Sequence, residues 1–116
     1  MIRGEIWTLS GGGEFLSKPR PAVIVQDDRF AGTGSVIVCA FTSMDTGTPL
    51  FRLSVEPSNE NGLRARSWIM VDKIAAVPRA KIGVRVGRLQ DGDMARLGQA
   101  LLVFLGLAAG SSTEVS

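Results

Sequence analysis

The side chains available for chemistry are few, and their types narrow the reactions open to this chain. It has no His and no Tyr, which removes the commonest general acid/base and the commonest metal ligand. Its one Cys, Cys39, lies in the apolar run Val36-Ile37-Val38-Cys39-Ala40-Phe41. A buried structural thiol is the expected reading there, and no internal disulfide can form. Scattered carboxylates with one Cys make no zinc or iron ligand set. Gly11-Gly12-Gly13 lacks the Lys-Ser/Thr ending of a phosphate-binding P-loop, and no Gly-x-Ser-x-Gly elbow occurs. No cofactor and no metal are therefore expected. Catalysis must run on Arg, Lys, Asp, Glu, Ser or Thr.

Three places concentrate such residues. In Lys18-Pro19-Arg20-Pro21 an Arg stands at the entrance to an apolar segment. Pro21 fixes its own φ and biases Arg20 toward an extended backbone, beside the glycine-rich loop. Thr42-Ser43 closes another apolar segment and puts two hydroxyls at a strand-to-loop junction. Asp72 lies in Ser67–Ile74, where period two gives it one face with Trp68, Met70 and Ile74. A carboxylate among apolar neighbours needs a partner or a function.

The elements that must position these residues are mostly short strands. Glu5–Leu9, Ala22–Gln26, Ser35–Phe41, Phe51–Glu56, Ser67–Ile74 and Val84–Leu89 all read as β. Ala22–Gln26 and Ser35–Phe41 are almost continuously apolar, as expected of strands buried on both faces. Phe51–Glu56 alternates, so Phe51, Leu53 and Val55 should face the core while Arg52, Ser54 and Glu56 face water. Pro57–Gly62 is a turn cluster. The period then changes. Met94, Leu97, Leu101, Phe104 and Leu105 recur at helical spacing, with Asp91 as the expected N-cap and Gly106 placed to close the helix. Short strands followed by one amphipathic helix predict a mainly β fold, a small barrel or sandwich, with a C-terminal α-helix.

The 116 residues, 45% hydrophobic and 21% charged, suit one domain. Residues 1–108 are read as that domain and 109–116 as a flexible tail. The longest apolar stretch, Ala100–Leu105, is too short to span a membrane, and the start shows no signal-peptide pattern. A cytoplasmic location fits. The net charge is only +2, but Arg64–Arg88 holds seven basic residues against one acid. Such asymmetry hints at a polyanionic partner, although a solvated strand face would look the same.

Taken in order, these segments resemble the MazF/PemK toxins of type II toxin–antitoxin systems. Arg3-Gly4-Glu5-Ile6-Trp7 looks like their opening. Arg20-Pro21-Ala22-Val23-Ile24-Val25 resembles their Arg-Pro second strand, and Asp28 and Phe30 fall where an Asn-Asp-x-Phe-like turn is usual. Val36–Ser43 is similar to their third strand ending in Thr-Ser. Ile69–Ile74 resembles the strand carrying an Asp-Gln-Ile-like step, and Ile82–Leu89 with Asp93–Leu107 continues the match. The resemblance covers residues 3 to 107. Two departures stand out. The loop Gly11–Pro19 does not match the usual Gly-x-Glu-x-x-Gly pattern. Some members carry an Arg two residues before the Asp, where this chain has Met70, so no Arg–Asp pair is expected at that step.

The resemblance implies an SH3-like barrel of the CcdB/MazF/PemK type, a homodimer, a cognate antitoxin, and cleavage of single-stranded RNA. It carries the catalytic Arg over to Arg20, the active-site Thr to Thr42 and the strand Asp to Asp72. Phe15, Lys18, Ser43 and Lys73 become candidate RNA contacts. The implied chemistry is attack of a 2′-OH on the adjacent phosphorus, giving a 2′,3′-cyclic phosphate and a 5′-hydroxyl, with DNA excluded. Arg20 suits charge stabilisation, Thr42 a phosphate hydrogen bond, and Asp72 a general base if burial raises its pKa. Asp72 as an ion-paired structural residue is the other reading. A non-enzymatic binder of DNA gyrase on the same barrel, like CcdB, is the alternative. It lacks support at the C-terminus, which ends Thr113-Glu114-Val115-Ser116 rather than in the Trp-Gly-Ile of those toxins.

Overall fold

A computed structural model describes residues 1–10, 19–48 and 51–108. The expected flexible tail at 109–116 and the candidate RNA contacts Phe15 and Lys18 lie outside these residues. Among the described residues there are seven strands and one α-helix: β1 (Glu5–Leu9), β2 (Arg20–Ile24), β3 (Ser35–Thr42), β4 (Arg52–Val55), β5 (Ser67–Met70), β6 (Ala75–Pro78), β7 (Ile82–Arg88) and α1 (Asp91–Phe104). All pairings are antiparallel. β3 joins two half-sheets, β7–β1–β2–β3–β6 and β3–β5–β4. The architecture is thus mainly antiparallel β with a C-terminal helix, as the periodicity predicts.

The two continuously apolar segments are strands covered on both faces. In β2, Val23 joins the main core while Ala22 and Ile24 join a second cluster on the opposite face. In β3, Cys39 and Phe41 point into the main core, and Val36 and Val38 into the second. Side-chain alternation across a strand requires this division, and burial of both sets explains why neither strand alternates in polarity.

Ser67–Ile74 is not one strand. β5 ends at Met70, a 3₁₀ turn occupies Val71–Lys73, and β6 begins at Ala75. The cause lies in pairing with β3. Phe41 opposes Ile69 and Val38 opposes Ala75, so β3 advances three residues while its partner chain advances six. The surplus residues bulge out as the turn. The expected face shared by Trp68, Met70, Asp72 and Ile74 therefore breaks after Met70, and Asp72 sits on a corner.

Two glycines mark where the turn cluster meets β7. Gly62 has φ +69°, and a Cβ there would lie 2.2 Å from the Val86 carbonyl oxygen. At Gly87 a Cβ would lie 2.5 Å from the Asn61 and Glu60 carbonyls. Only glycine allows both approaches. Asn61, 1% exposed, holds the turn by accepting from the Ser58 and Leu63 N–H groups and donating to the Glu56 carbonyl.

Helix α1 begins at Asp91, so its cap lies one residue earlier than expected. Gln90 is the N-cap, without a side-chain cap bond, and Asp91 and Asp93 lie in the first turn, where their charge suits the helix dipole. At the other end Gly106, φ +74°, donates to the Val103 carbonyl while Leu107 donates to that of Leu102. This is a Schellman closure, and it uses the glycine expected to end the helix. The apolar face divides in two. Leu97 is fully buried, with Met94 and Leu101 packed beside it, whereas Phe104 and Leu105 remain 44% and 49% exposed. No helix of the described residues is long and apolar enough to cross a membrane.

Leu97 is the helix's one fully buried anchor. Leu97→Ala should lower stability by about 2–5 kcal/mol through lost burial and a residual cavity. Equilibrium denaturation checks this, and a change below about 1 kcal/mol would show that α1 is not anchored there.

Candidate active site

The register of β2 on β3 brings the first two candidate residues together. Ala22 pairs with Ala40 and Ile24 with Val38. Continued outward by two residues, the same register aligns Arg20 with Thr42. On the other side of β3, Thr42 pairs with Trp68 of β5. Arg20, Thr42 and Ser43 line one open cleft of about 350 Å³, with Pro21, Phe41, Met44 and Ser67 completing its wall. Arg20 and Ser43 are exposed and Thr42 is half-buried.

Thr42 is held in a defined hydrogen-bonding state. Its Oγ1 accepts from the Met44 N–H at 3.2 Å, an interaction typical of a Thr at a strand-to-turn junction. With a lone pair committed to that bond, the hydroxyl proton is the part offered to an acceptor in the cleft. Opposite it stands a guanidinium, whose planar fork matches the oxygens of a phosphate. An arginine, a positioned hydroxyl and a second serine hydroxyl together can hold a phosphate and stabilise charge developing on it.

Asp72 does not join them. Its carboxylate is gripped from the neighbouring hairpin strand by Arg52, with Nε to Oδ1 at 2.6 Å and Nη2 to Oδ2 at 3.0 Å. The two side chains are only 12% and 21% exposed. The hydrogen bonds from Arg52 hold the Asp72 carboxyl below the ordinary aspartate range, with the charge of Arg52 adding to the effect. A base at neutral pH would need the opposite displacement, so the condition attached to Asp72 as a base is not met. Its other reading, an ion pair, describes what the structure contains.

The same bridge corrects two further expectations. Arg52 is not left to water, because Asp72 on the adjoining corner takes its guanidinium. An Arg–Asp pair does form at this corner, supplied across the hairpin rather than along the strand. Sequence spacing missed it because strand alternation gives direction only relative to the chain's own neighbours. Ser67 and Met44 were missed as cleft residues for a similar reason: nothing local marks them.

The last described candidate, Lys73, and the accessible aromatic side chains are dispersed. Lys73 is exposed on the 3₁₀ corner beside Asp72 and does not line the cleft. Phe30 is 56% exposed beneath the Arg29 guanidinium, 5.6 Å from its ring centroid. Trp7 lies half-buried against the second cluster and Trp68 half-buried under Arg66. The basic residues of Arg64–Arg88 are spread over the loop before β5, the Val71–Lys73 turn, a second 3₁₀ turn at Arg79–Lys81 and β7, and several of their charges are engaged. Arg66 pairs with Glu56, Arg85 with Glu5, and Arg88 with Asp91, while Arg79 donates to the Thr33 and Ala31 carbonyls. Cys39 is fully buried, and burial, with the charge of Asp72 adding to it, pushes its thiol up to about 12.

Comparison with known proteins places this geometry among relatives. Residues 2–105 match the family model described as PemK-like, MazF-like toxin of type II toxin–antitoxin systems. A protein named probable endoribonuclease MazF, from Mycolicibacterium smegmatis, is 50% identical over 108 residues, covering 93% of this chain and 99% of that one. Among solved structures, an endoribonuclease in complex with its cognate antitoxin from mycobacterial species superposes with TM-score 0.76 at 22% identity, over 93% of this chain and 97% of that one. Mycobacterium tuberculosis toxin MazF-mt6 gives 0.75 at 22% identity, over 90% and 98%. A MazE-MazF structure from Deinococcus radiodurans gives 0.74 at 22%, over 93% and 97%. At such identities the solved structures show the shared fold.

The Arg52–Asp72 bridge makes a prediction with a sign. Because the folded-state pKa of Asp72 lies below its ordinary value, the bridge contributes stability above that value and loses it as the pH falls through the folded pKa. Asp72→Asn should cost about 1.5–3 kcal/mol at pH 7. The gap between variant and wild type should close as the pH is lowered below the ordinary aspartate value of 3.8. Paired melts from pH 7 to pH 2 read this directly, and a gap independent of pH overturns the assignment.

Proposed function

Because this chain belongs to the family of PemK-like, MazF-like toxins of type II toxin–antitoxin systems, we propose that it is a metal-independent endoribonuclease that cuts single-stranded RNA at short sequences. The observation that carries the proposal is that Arg20, at the start of β2, and Thr42, at the end of β3, line one open cleft. The half-identical relative from Mycolicibacterium smegmatis, named a probable endoribonuclease, supports the same reading.

In the proposed reaction the 2′-OH attacks the adjacent phosphorus, and the bond to the 5′ oxygen breaks. The 2′ oxygen gives its proton to solvent water and the departing 5′ oxygen takes one from water, leaving a 2′,3′-cyclic phosphate and a 5′-hydroxyl. Arg20 stabilises the charge that builds on the phosphorane oxygens. A guanidinium is a poor proton donor and acceptor, and its fork suits phosphate oxygens, so the role of Arg20 is electrostatic. The Thr42 hydroxyl donates to a phosphate oxygen and Ser43 extends the cradle. Asp72 braces the corner beside the site through Arg52 and takes no part in proton transfer. Phe15, Lys18 and Lys73 remain proposed RNA contacts.

The toxin is proposed to act in the cytoplasm as a homodimer restrained by a cognate antitoxin. What supports the dimer is the end of α1, where Leu102, Val103, Phe104, Leu105 and Leu107 leave between 42% and 72% of their surface uncovered. A run of that kind is buried by a partner in most soluble proteins. What supports the antitoxin is the family and the relatives solved together with theirs.

Purified protein should cut a long unstructured RNA in EDTA and leave the matching DNA intact. Arg20→Ala should slow cutting by about 10²–10³-fold with an unchanged melting temperature, and Arg20→Lys should restore only part of the rate because the fork is lost. Intact RNA in EDTA, or an Arg20→Ala rate equal to wild type, rejects the mechanism. For the dimer, Phe104→Glu should halve the mass seen by light scattering, and an unchanged mass rejects α1 as the interface.

A further inference from the structure

A second cavity, of about 300 Å³, lies directly beside the Arg20–Thr42 cleft. The two have no lining residue in common, but their linings adjoin along the chain. Along the loop after β3, Ser43 and Met44 line the first cleft and Asp45 the second. Along the start of β5, Ser67 lines the first, while Arg66 and Trp68 line the second. Trp68 is also the direct cross-strand partner of Thr42. Through the Thr42–Trp68 pair, a chain whose phosphate rests on Arg20 and Thr42 can reach this second cavity with a neighbouring nucleotide.

The cavity's chemistry distinguishes base from phosphate. Three arginines line it, yet each is matched to a carboxylate: Arg52 to Asp72, Arg66 to Glu56 and Arg96 to Asp93, at 2.6, 3.0 and 2.9 Å. Asp45 adds another negative charge. Little positive field is left to hold a phosphate. What remains is directional and flat. The Arg66 guanidinium lies over the Trp68 ring, 5.5 Å from its centroid. Aromatic and guanidinium planes of this kind are what unpaired bases stack on.

The polar groups divide into fixed and free. Arg52 is locked by two bonds to Asp72, and Arg96 by Asp93 and the Ser54 carbonyl. Arg66 pairs with Glu56 only at the surface, with 57% and 71% of the two side chains exposed. Such a pair costs little to break, so Arg66 can turn its fork to a ligand. Asp45 uses Oδ1 to accept from the Gly47 N–H at 2.9 Å, which fixes the carboxylate and leaves Oδ2 without a hydrogen bond from the described residues. A forked donor beside a fixed acceptor matches a base that offers acceptors and donors on its edges together. Guanine does so, with O6 and N7 for an arginine fork and an amino group for a carboxylate.

We infer that this second cavity is a base-reading subsite that takes one unpaired guanine next to the scissile phosphate, stacked on Trp68 and read by Arg66 and Asp45. The inference rests on the RNA-cutting reading for its biological setting, but base binding can be measured without any cutting. The chain has two tryptophans, so in a Trp7→Phe background only Trp68 emits. Titrating that protein with 2′-O-methyl trinucleotides, which have no free 2′-OH to attack, should quench Trp68. UGU should bind about tenfold more tightly than UUU, UAU or UCU. Arg66→Ala and Asp45→Asn, placed in the same background, should each abolish that preference while leaving the melting temperature unchanged. No quenching, equal affinity for all four, preference for another base, or a preference that survives both substitutions each overturns the subsite. A protein that shows the preference yet leaves RNA intact in EDTA keeps the subsite and loses the nuclease mechanism, so the two readings fail separately.

Discussion

β3 has no free side, and the rest of the molecule follows from that. Its backbone pairs with β2 along one edge and with β5 and then β6 along the other. Its alternate side chains enter two different hydrophobic clusters. A strand constrained on both edges and both faces cannot slip by one residue, because a slip exchanges the two sets of side chains. Val36 and Val38 would then compete for the place of Cys39 and Phe41. The register of every neighbouring strand is set by that cost.

The site inherits this rigidity. Arg20 and Thr42 lie at the ends of two strands whose interiors are locked by Ala22, Val23 and Ile24 against Val38, Cys39 and Ala40. Their alignment needs no contact of its own, since the buried pairs behind them fix it. Strand ends are suited to this use, because the backbone is ordered by the ladder while the side chains reach solvent. The same pairing also forces the three-residue excursion between β5 and β6. The Arg52–Asp72 bridge closes that excursion, satisfying in one step the corner's carboxylate and a guanidinium that would otherwise be half-buried without a partner. A partly buried pair of this kind is costly to break from one side, because the surviving charge is left short of water.

Charge in this protein is organised locally. The excess of basic residues between Arg64 and Arg88 does not merge into one patch, because folding disperses it and nearby acids and carbonyls engage much of it. Arg20 differs in standing at a cleft mouth whose described lining holds no carboxylate. For the electrostatic role proposed for Arg20 that difference counts for more than the net charge, since an arginine already satisfied by an acid has less to offer a phosphate.

Much was legible in the sequence alone. Strand and helix types followed from hydrophobic period, the double burial of β2 and β3 from their unbroken apolar runs, and the helix end from Gly106. Arg20 beside a Pro-led strand, and Thr42 at a strand end, stood out because their chemistry is local to their own segments. The ordered motifs from residue 3 to 107 pointed to the family. Other features were decided only in three dimensions. The division of Ser67–Ile74 into strand, turn and strand depends on where β3 must meet it. The inward turn of Arg52 depends on which residue lies across the hairpin. Cleft residues Ser67 and Met44, and the second cavity with Arg66 over Trp68, depend on segments far apart in the chain. The physical reason is common to all of them. Periodicity records which side of its own strand a residue takes, whereas partnership depends on register between strands, and register is set by burial of the whole core at once.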